Sequence, residues 1–234
     1  MDNEFFIRAT ACYLILQPSL NRKSISFFIY TPNGENLVLN NLRDSLRPSL
    51  EKIGRGFAGT GLSPNFWTCV GLAFAFTSSI IYGLNVEFAL IIGGILLLVS
   101  GFFDIVDGQV ARVTKKTSKK GGFLDSIFDK VAEVSIFLGI LVGGFAEPYL
   151  VFLAITMSLL VSYARSRGES LGVNLQGVGI GERAERLLVI AVLGIIGGII
   201  SEIKLMEYAV IVVIIIAGIT FIQRVIVTSK NLKD

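Results

Sequence analysis

The chain has 234 residues, 53% of them hydrophobic and 17% charged, with a net charge of +3, 25 glycines, 5 prolines, 2 cysteines and no histidine. A soluble domain carries about 25% charged residues, and the Pro, Ser or periodic Gly content that disorder or collagen needs is missing. Without histidine there is no Ser-His-Asp triad, no imidazole base and no His-ligated zinc or haem, and two cysteines supply neither a disulfide framework nor a thiolate cluster.

Residues 1–40 read as an N-terminal extension to which the sequence assigns no role. Met1–Glu4 is acidic, unlike the basic start of a secretory signal. Phe5–Leu16 is apolar but broken by Arg8, and Thr31-Pro32-Asn33-Gly34 reads as a turn. The domain that follows covers 41–234. Its first element places Leu42, Leu46, Leu50 and Ile53 at helical spacing with Arg and Lys between them. That pattern suits an amphipathic helix on a membrane surface, or a short helix packed on the rest of the domain.

A bilayer-crossing helix needs about 20 mostly apolar residues. Six such spans are expected, at roughly 65–84, 86–112, 122–146, 148–168, 182–201 and 205–227. Too few polar residues exist to coat six buried helices of a soluble protein. The loops near Glu87, Glu147, Glu202 and Glu207 carry one cation, Lys204, whereas Arg43, Arg47, Lys52, Arg55, Arg112 to Lys120, Arg165, Arg167, Arg183, Arg186, Arg224 and Lys230 gather at the other ends. Positive-inside bias puts that face and both termini in the cytoplasm. The expected fold is an all-α, multi-pass protein of the cell membrane, with six transmembrane helices and an N-terminal amphipathic surface helix. The small positive balance fits a membrane surface and an anionic ligand rather than nucleic acid.

Four aspartates stand where the second span ends and the third begins: Asp104, Asp107, Asp125 and Asp129. A charge inside a span costs about 2.5–3.5 kcal/mol on insertion scales, so such residues face a partner or a polar cavity. Spacings of three and four put each pair on one helix face. Two antiparallel helices then bring four carboxylates together, where their mutual repulsion calls for hard cations, and all-oxygen ligands favour magnesium, manganese or calcium over zinc. Interfacial caps reaching out to water are the simpler alternative. Gly108 and Ala111 leave room beside the acids, and Arg112 offers a donor fork suited to phosphate.

The stretch Asp104-Ile-Val-Asp107-Gly108-Gln-Val-Ala111-Arg112, followed by Gly121, Asp125 and Asp129, resembles the signature of the CDP-alcohol phosphotransferases, D-x2-D-G-x2-A-R-x8-G-x3-D-x3-D, at all of its fixed positions. Ser63-Pro64-Asn65-Phe66-Trp67-Thr68 is similar to the family's Pro-Asn-x-x-Thr opening of the first span. The resemblance implies that Asp104, Asp107, Asp125 and Asp129 hold two Mg2+ or Mn2+ ions. It also implies that Pro64, Asn65, Thr68, Gly108, Ala111, Arg112 and Gly121 bind the CDP-activated lipid. Asp129 is implied as general base for an alcohol that attacks the β-phosphorus and releases CMP without a covalent enzyme intermediate. A homodimer is implied as well, and the Gly143-Gly144 and Gly197-Gly198 pairs permit close helix contacts.

The acceptor alcohol is read from a second set of cations. Arg165 and Arg167 end the fourth span, Arg183 and Arg186 open the fifth, and Arg224 lies near the end of the sixth. Arginines clustered at membrane depth match a phosphate, or they pair internally with Glu133, Glu169, Glu182 or Glu185. The pattern S-Y-x-R-x-R-x-E followed by G-E-R-x-E-R-L is similar to the inositol-phosphate branch of the family, with Gly168 where alanine is expected. This implies a phosphorylated polyol, inositol phosphate ahead of glycerol 3-phosphate, with CDP-diacylglycerol and CDP-archaeol both open as donors. Two other classes compete. A cation or proton transporter would spread its acids through several spans in repeated halves, and an intramembrane aspartyl protease would need just two aspartates.

Overall fold

The computed structural model describes residues 37–84 and 86–232, with side chains from Pro48 onward, so the expectations for Phe5–Leu16 and the turn at Thr31–Gly34 lie outside the described residues. Among the described residues all regular structure is helical: α1 (Leu37–Ala58), α2 (Pro64–Leu84), α3 (Ala89–Val113), α4 (Lys119–Val142), α5 (Pro148–Ser170), α6 (Arg183–Ile199) and α7 (Lys204–Asn231). The described residues from Asn41 onward form one compact unit.

Local chemistry sets several of these ends. The Ser63 hydroxyl accepts the Phe66 N–H at 3.3 Å and Pro64 takes the first position of α2, where a missing N–H costs nothing. Ser118 caps α4 by accepting the Gly121 N–H at 3.0 Å. Pro148 opens α5 in the same way as Pro64 opens α2. The second span was expected from residue 86 and begins at Ala89, because Phe88 takes a left-handed backbone with φ 63°. At the third expected position, 122–146, a helix runs from Lys119 to Val142 and stops before Gly144, whose φ is +70°.

The helices close a ring in the order α2, α3, α6, α7, α5, α4, each packing on its two neighbours. Hydroxyls stitch this ring. Ser78 donates to the Gly93 carbonyl at 2.7 Å and Ser100 to the Gly71 carbonyl at 2.8 Å, joining α2 to α3, while Ser79 donates to the Ser135 carbonyl and joins α2 to α4. At Gly139 a Cβ would run into the Ser79 backbone, so glycine is what lets α2 and α4 approach so closely.

Large apolar side chains face outward: Phe152 and Val142 are 72% and 73% exposed, whereas the charged pair Glu133 and Arg186 are each 1% exposed within an otherwise apolar core. Such an apolar exterior belongs in lipid. Among the described residues four helices are long and apolar enough to cross a membrane, namely α2, α3, α5 and α7, with mean hydropathies of 1.5, 2.4, 1.5 and 2.7. The chain is an all-α, multi-pass membrane protein. Helices also occupy the third and fifth expected positions but are of another kind. The first half of α4 carries Lys119, Lys120, Asp125, Asp129 and Lys130. The 17 residues of α6 extend about 25 Å at 1.5 Å per residue.

The end of α1 is anchored beside the acidic region. Phe57 meets Trp67 edge-on at 4.8 Å and Phe103 at 6.3 Å, and a Cβ on Gly54 would touch Gln109. The expected helix over Leu42–Ile53 falls within α1.

Candidate active site

Asp104 and Asp107 lie one turn apart on α3, and Asp125 and Asp129 one turn apart on α4. One carboxylate oxygen from each of Asp104, Asp107 and Asp125 lies within 4.8 Å of the other two. Asp107 is 7% exposed, and both its Oδ2 and the Oδ1 of Asp125 are buried with no hydrogen-bond partner among the described residues. Orphaned carboxylate oxygens are costly to bury. A divalent cation among the three side chains satisfies them, and an all-oxygen donor set suits Mg2+ or Mn2+. The residues therefore fit the expected metal.

Asp129 is held differently from the other three. Its Oδ1 accepts from Nη1 of Arg183, and the same Nη1 donates to Asp104 Oδ1 at 3.0 Å. Three of the four aspartates meet in one cluster, and the fourth, Asp129, is linked to it through an arginine. A small cavity adjoins them, walled by Thr68 and Gly71 of α2, Asp104 and Asp107 of α3, Asp129 of α4 and Arg183 of α6.

The residues expected to bind the nucleotide lie around the same end of the bundle. A Cβ at Gly108 would meet nothing within 4 Å among the described residues, so the helix surface next to Asp107 is open. A Cβ at Gly121 would stand 3.8 Å from Asn65 Oδ1, which puts the start of α4 beside the Pro64-Asn65 opening of α2. Thr68, one turn further along α2, faces the cavity. Ala111 is half-buried and Arg112 exposed.

The five arginines divide into two kinds. Arg167 is exposed. Arg165 pairs with Glu169 at 2.9 Å and with Glu182 at 3.8 Å. Arg186 and Arg224 are locked inside the protein. Arg186 sends Nε and Nη2 to Glu133 Oε1 at 2.8 and 2.7 Å, and Nη1 to the Gly181 carbonyl at 2.6 Å. Arg224 sends Nε to the Val178 carbonyl and Nη1 to the Val161 carbonyl, both at 2.9 Å, and Nη2 to Glu182 at 3.2 Å. Internal pairing with Glu133, Glu169 and Glu182, the alternative to phosphate binding, is present in the structure, and Glu133 and Glu182 are its hubs.

Three participants were not singled out from sequence. Lys130 reaches Glu133 Oε2 at 3.8 Å, and a lysine beside the last aspartate of an apolar segment was its signal. Thr220 accepts the Gly181 N–H at 2.9 Å. Carbonyls 161, 178 and 181, the anchors of the buried arginines, leave no mark in a sequence.

Fold and site together define an all-α membrane protein with a cluster of carboxylates able to hold a metal ion. Residues 62–228 match the CDP-alcohol phosphatidyltransferase pattern, and the chain belongs to that family of metal-dependent phosphatidyltransferases. It is 37% identical over 196 residues to the archaetidylinositol phosphate synthase of Pyrococcus horikoshii, covering 84% of this chain and 99% of the relative. It is also similar to crystal structures of the Mycobacterium tuberculosis phosphatidylinositol phosphate synthase. The structure with CDP-DAG bound has a TM-score of 0.67 and 21% identity over 76% of this chain and 92% of that one. The structure in complex with manganese and citrate has a TM-score of 0.67 and 22% identity over 77% and 88%. At these identities the likeness establishes the fold.

Proposed function

We propose that this enzyme transfers the phosphatidyl-type group of a CDP-activated lipid to a hydroxyl of inositol phosphate and releases CMP. The observation that carries the reading is the meeting of the acidic cluster with a guanidinium at one cavity, where Arg183 lies between Asp104 and Asp129. The Pyrococcus relative, named an archaetidylinositol phosphate synthase and matched over 99% of its length, supports the acceptor. Binding of CDP-DAG by the mycobacterial protein supports the donor class.

In this reading Asp104, Asp107, Asp125 and Asp129 hold two Mg2+ or Mn2+ ions, which when bound neutralise the diphosphate and polarise its phosphoryl oxygens. Gly108, Ala111, Arg112 and Gly121 receive the CMP moiety, helped by Pro64, Asn65 and Thr68 at the opening of α2. Open space at Gly108 supports this close approach to the helix. Arg165, Arg167 and Arg183 face the acceptor phosphate, while Arg186 and Arg224 shape the wall behind them from buried positions. Asp129 takes the proton of the attacking hydroxyl as its oxygen bonds to the β-phosphorus. The bond from that phosphorus to the bridging oxygen breaks, and CMP leaves with the electron pair.

The same reading makes α2 to α7 six spans. The charged half of α4 and the arginine-bearing start of α6 then lie at the cytoplasmic headgroups, where the positive loops also belong. It lays α1 along that surface, treats 1–40 as an extension of the 41–234 membrane domain, and pairs two copies as a homodimer.

The test is a CMP-release assay on the purified protein. Inositol 1-phosphate, glycerol 3-phosphate, inositol and serine are crossed with CDP-archaeol and CDP-diacylglycerol, with Mg2+ or Mn2+. Release with inositol 1-phosphate is the expected result. A preference for glycerol 3-phosphate, whose phosphate suits the same arginines, reassigns the acceptor, and no release with any acceptor overturns the proposal.

A further inference from the structure

Arg183 stands apart from the other buried arginines in how its donors are spent. All three nitrogens of Arg186 are bonded, as are all three of Arg224, to partners that cannot leave: backbone carbonyls and the glutamates they clamp. The contacts of Arg183 to Asp104 and Asp129 both run through a single nitrogen, Nη1. Its Nε is buried with no partner among the described residues. A guanidinium is strongest when its planar fork is used side by side, and here the fork is not used. The side chain is 16% exposed and forms part of the cavity wall.

Its two partners belong to the cation bed. Asp104 is also a member of the three-carboxylate cluster, and Arg183 ties Oδ1 of Asp129 to Oδ1 of Asp104. A first cation has Asp104, Asp107 and Asp125 for ligands. A second cation taken up by Asp129 competes with Arg183, which already neutralises that carboxylate.

We infer that Arg183 is an exchangeable cation. It bridges Asp104 and Asp129 until a second divalent ion displaces it, and the freed guanidinium then turns into the cavity and takes the acceptor's phosphate. Resting on the proposed phosphorylated acceptor, this deepens that reading by making metal and acceptor bind cooperatively through one side chain. Such coupling is reciprocal: whatever factor the phosphate contributes to metal affinity, the metal contributes to phosphate affinity. Neighbouring Glu182 keeps the exchange local, because it is held by Arg224 and stays in place while Arg183 moves.

The test reads metal binding rather than turnover. Mn2+ is titrated into the full-length protein in detergent or nanodiscs and followed by electron paramagnetic resonance, with and without inositol 1-phosphate or inorganic phosphate. In the wild type the second Mn2+ is expected to bind about tenfold more tightly when phosphate is present, an ordinary size for coupled sites. In Arg183→Met the second Mn2+ should bind more tightly than in the wild type without phosphate, and phosphate should no longer change it. The first Mn2+ should bind as in the wild type and so reports an intact fold. Arg183→Lys, which retains a cation but no fork, should keep part of the coupling and serves if the methionine variant does not fold. Wild-type Mn2+ affinities in the variants, no phosphate effect in the wild type, or full coupling without Arg183 would each overturn the inference. The CMP-release panel judges the transfer reading separately, since cooperative Mn2+ binding requires no CDP-lipid.

Discussion

Glu133 Oε1 accepts both Nε and Nη2 of Arg186, at 2.8 and 2.7 Å, between two residues that are each 1% exposed. The pair joins α4 to α6, and through Nη1 it also fixes the Gly181 carbonyl just ahead of Glu182 and Arg183. A buried ion pair is a poor source of net stability, but removing one partner leaves an uncompensated charge.

Glu133→Ala and Arg186→Met are therefore each expected to destabilise the protein by about 3–5 kcal/mol. The double variant Glu133→Leu/Arg186→Met, which of the charged side chains deprives only the partly exposed Lys130 of a partner, should recover part of that loss. Thermal unfolding in detergent checks both statements. Single variants that melt with the wild type would show that the pair is not what holds these helices together.

Asp107 tests the cation bed. Its Oδ2 has no protein partner among the described residues, and it stands in the cluster with Asp104 and Asp125. Asp107→Asn is nearly isosteric but removes the charge a divalent ion needs. CMP release should fall to background, and Mn2+-dependent binding of a CDP-lipid should disappear while the melting temperature stays at or above that of the wild type. Asp104→Asn and Asp125→Asn should lose turnover in the same way. Full wild-type activity in the presence of a strong chelator would contradict the role given to all of them.

How far the sequence could be read differs between acids and arginines, for a physical reason. Asp104, Asp107, Asp125 and Asp129 lie at short, fixed spacings on two helices, and helical geometry alone brings each pair to one face. Their convergence and the oxygen-rich chemistry were legible. The arginines come from three helices, and their partners are set by how the ring closes. Glu182 and Arg183 are adjacent in sequence yet face different clusters, one toward Arg224 and Arg165 and the other toward Asp104 and Asp129. No local spacing encodes that division, nor the choice of the 161 and 178 carbonyls as partners for Arg224. Helix positions were legible to within a few residues because apolar length dictates them. Where they shifted, as at Phe88, a single backbone conformation decided.

Two glycines separate packing from binding. Gly139 lies against the Ser79 backbone, whereas Gly108 faces open space. Gly139→Ala should cost about 1–3 kcal/mol by forcing α2 and α4 apart, and the loss should appear in the melting temperature. Gly108→Val should leave that temperature nearly unchanged, since nothing surrounds the new side chain. It should weaken CDP-lipid binding markedly by filling the surface on which the CMP moiety is proposed to rest. Equal effects of the two variants on melting, or unimpaired CDP-lipid binding by Gly108→Val, would remove that assignment.

Arg165 and Arg224 give the sharpest separation of acceptor from donor. The Arg165 side chain is partly exposed, and its pairs with Glu169 and Glu182 are surface contacts of small individual worth, so it can turn to a phosphate at little cost. Arg165→Ala should raise the KM for inositol 1-phosphate by about tenfold, the loss of one charge-assisted contact of roughly 1.4 kcal/mol. CDP-lipid affinity and the melting temperature should barely change. Arg224 is buried and bonded to two carbonyls and Glu182, so Arg224→Ala should lower the melting temperature as well as raise the acceptor KM. Arg224→Lys should not rescue it, because one ammonium cannot replace three directed donors. If Arg165→Ala instead weakens CDP-lipid binding and spares the acceptor KM, the acceptor phosphate does not bind at the end of α5.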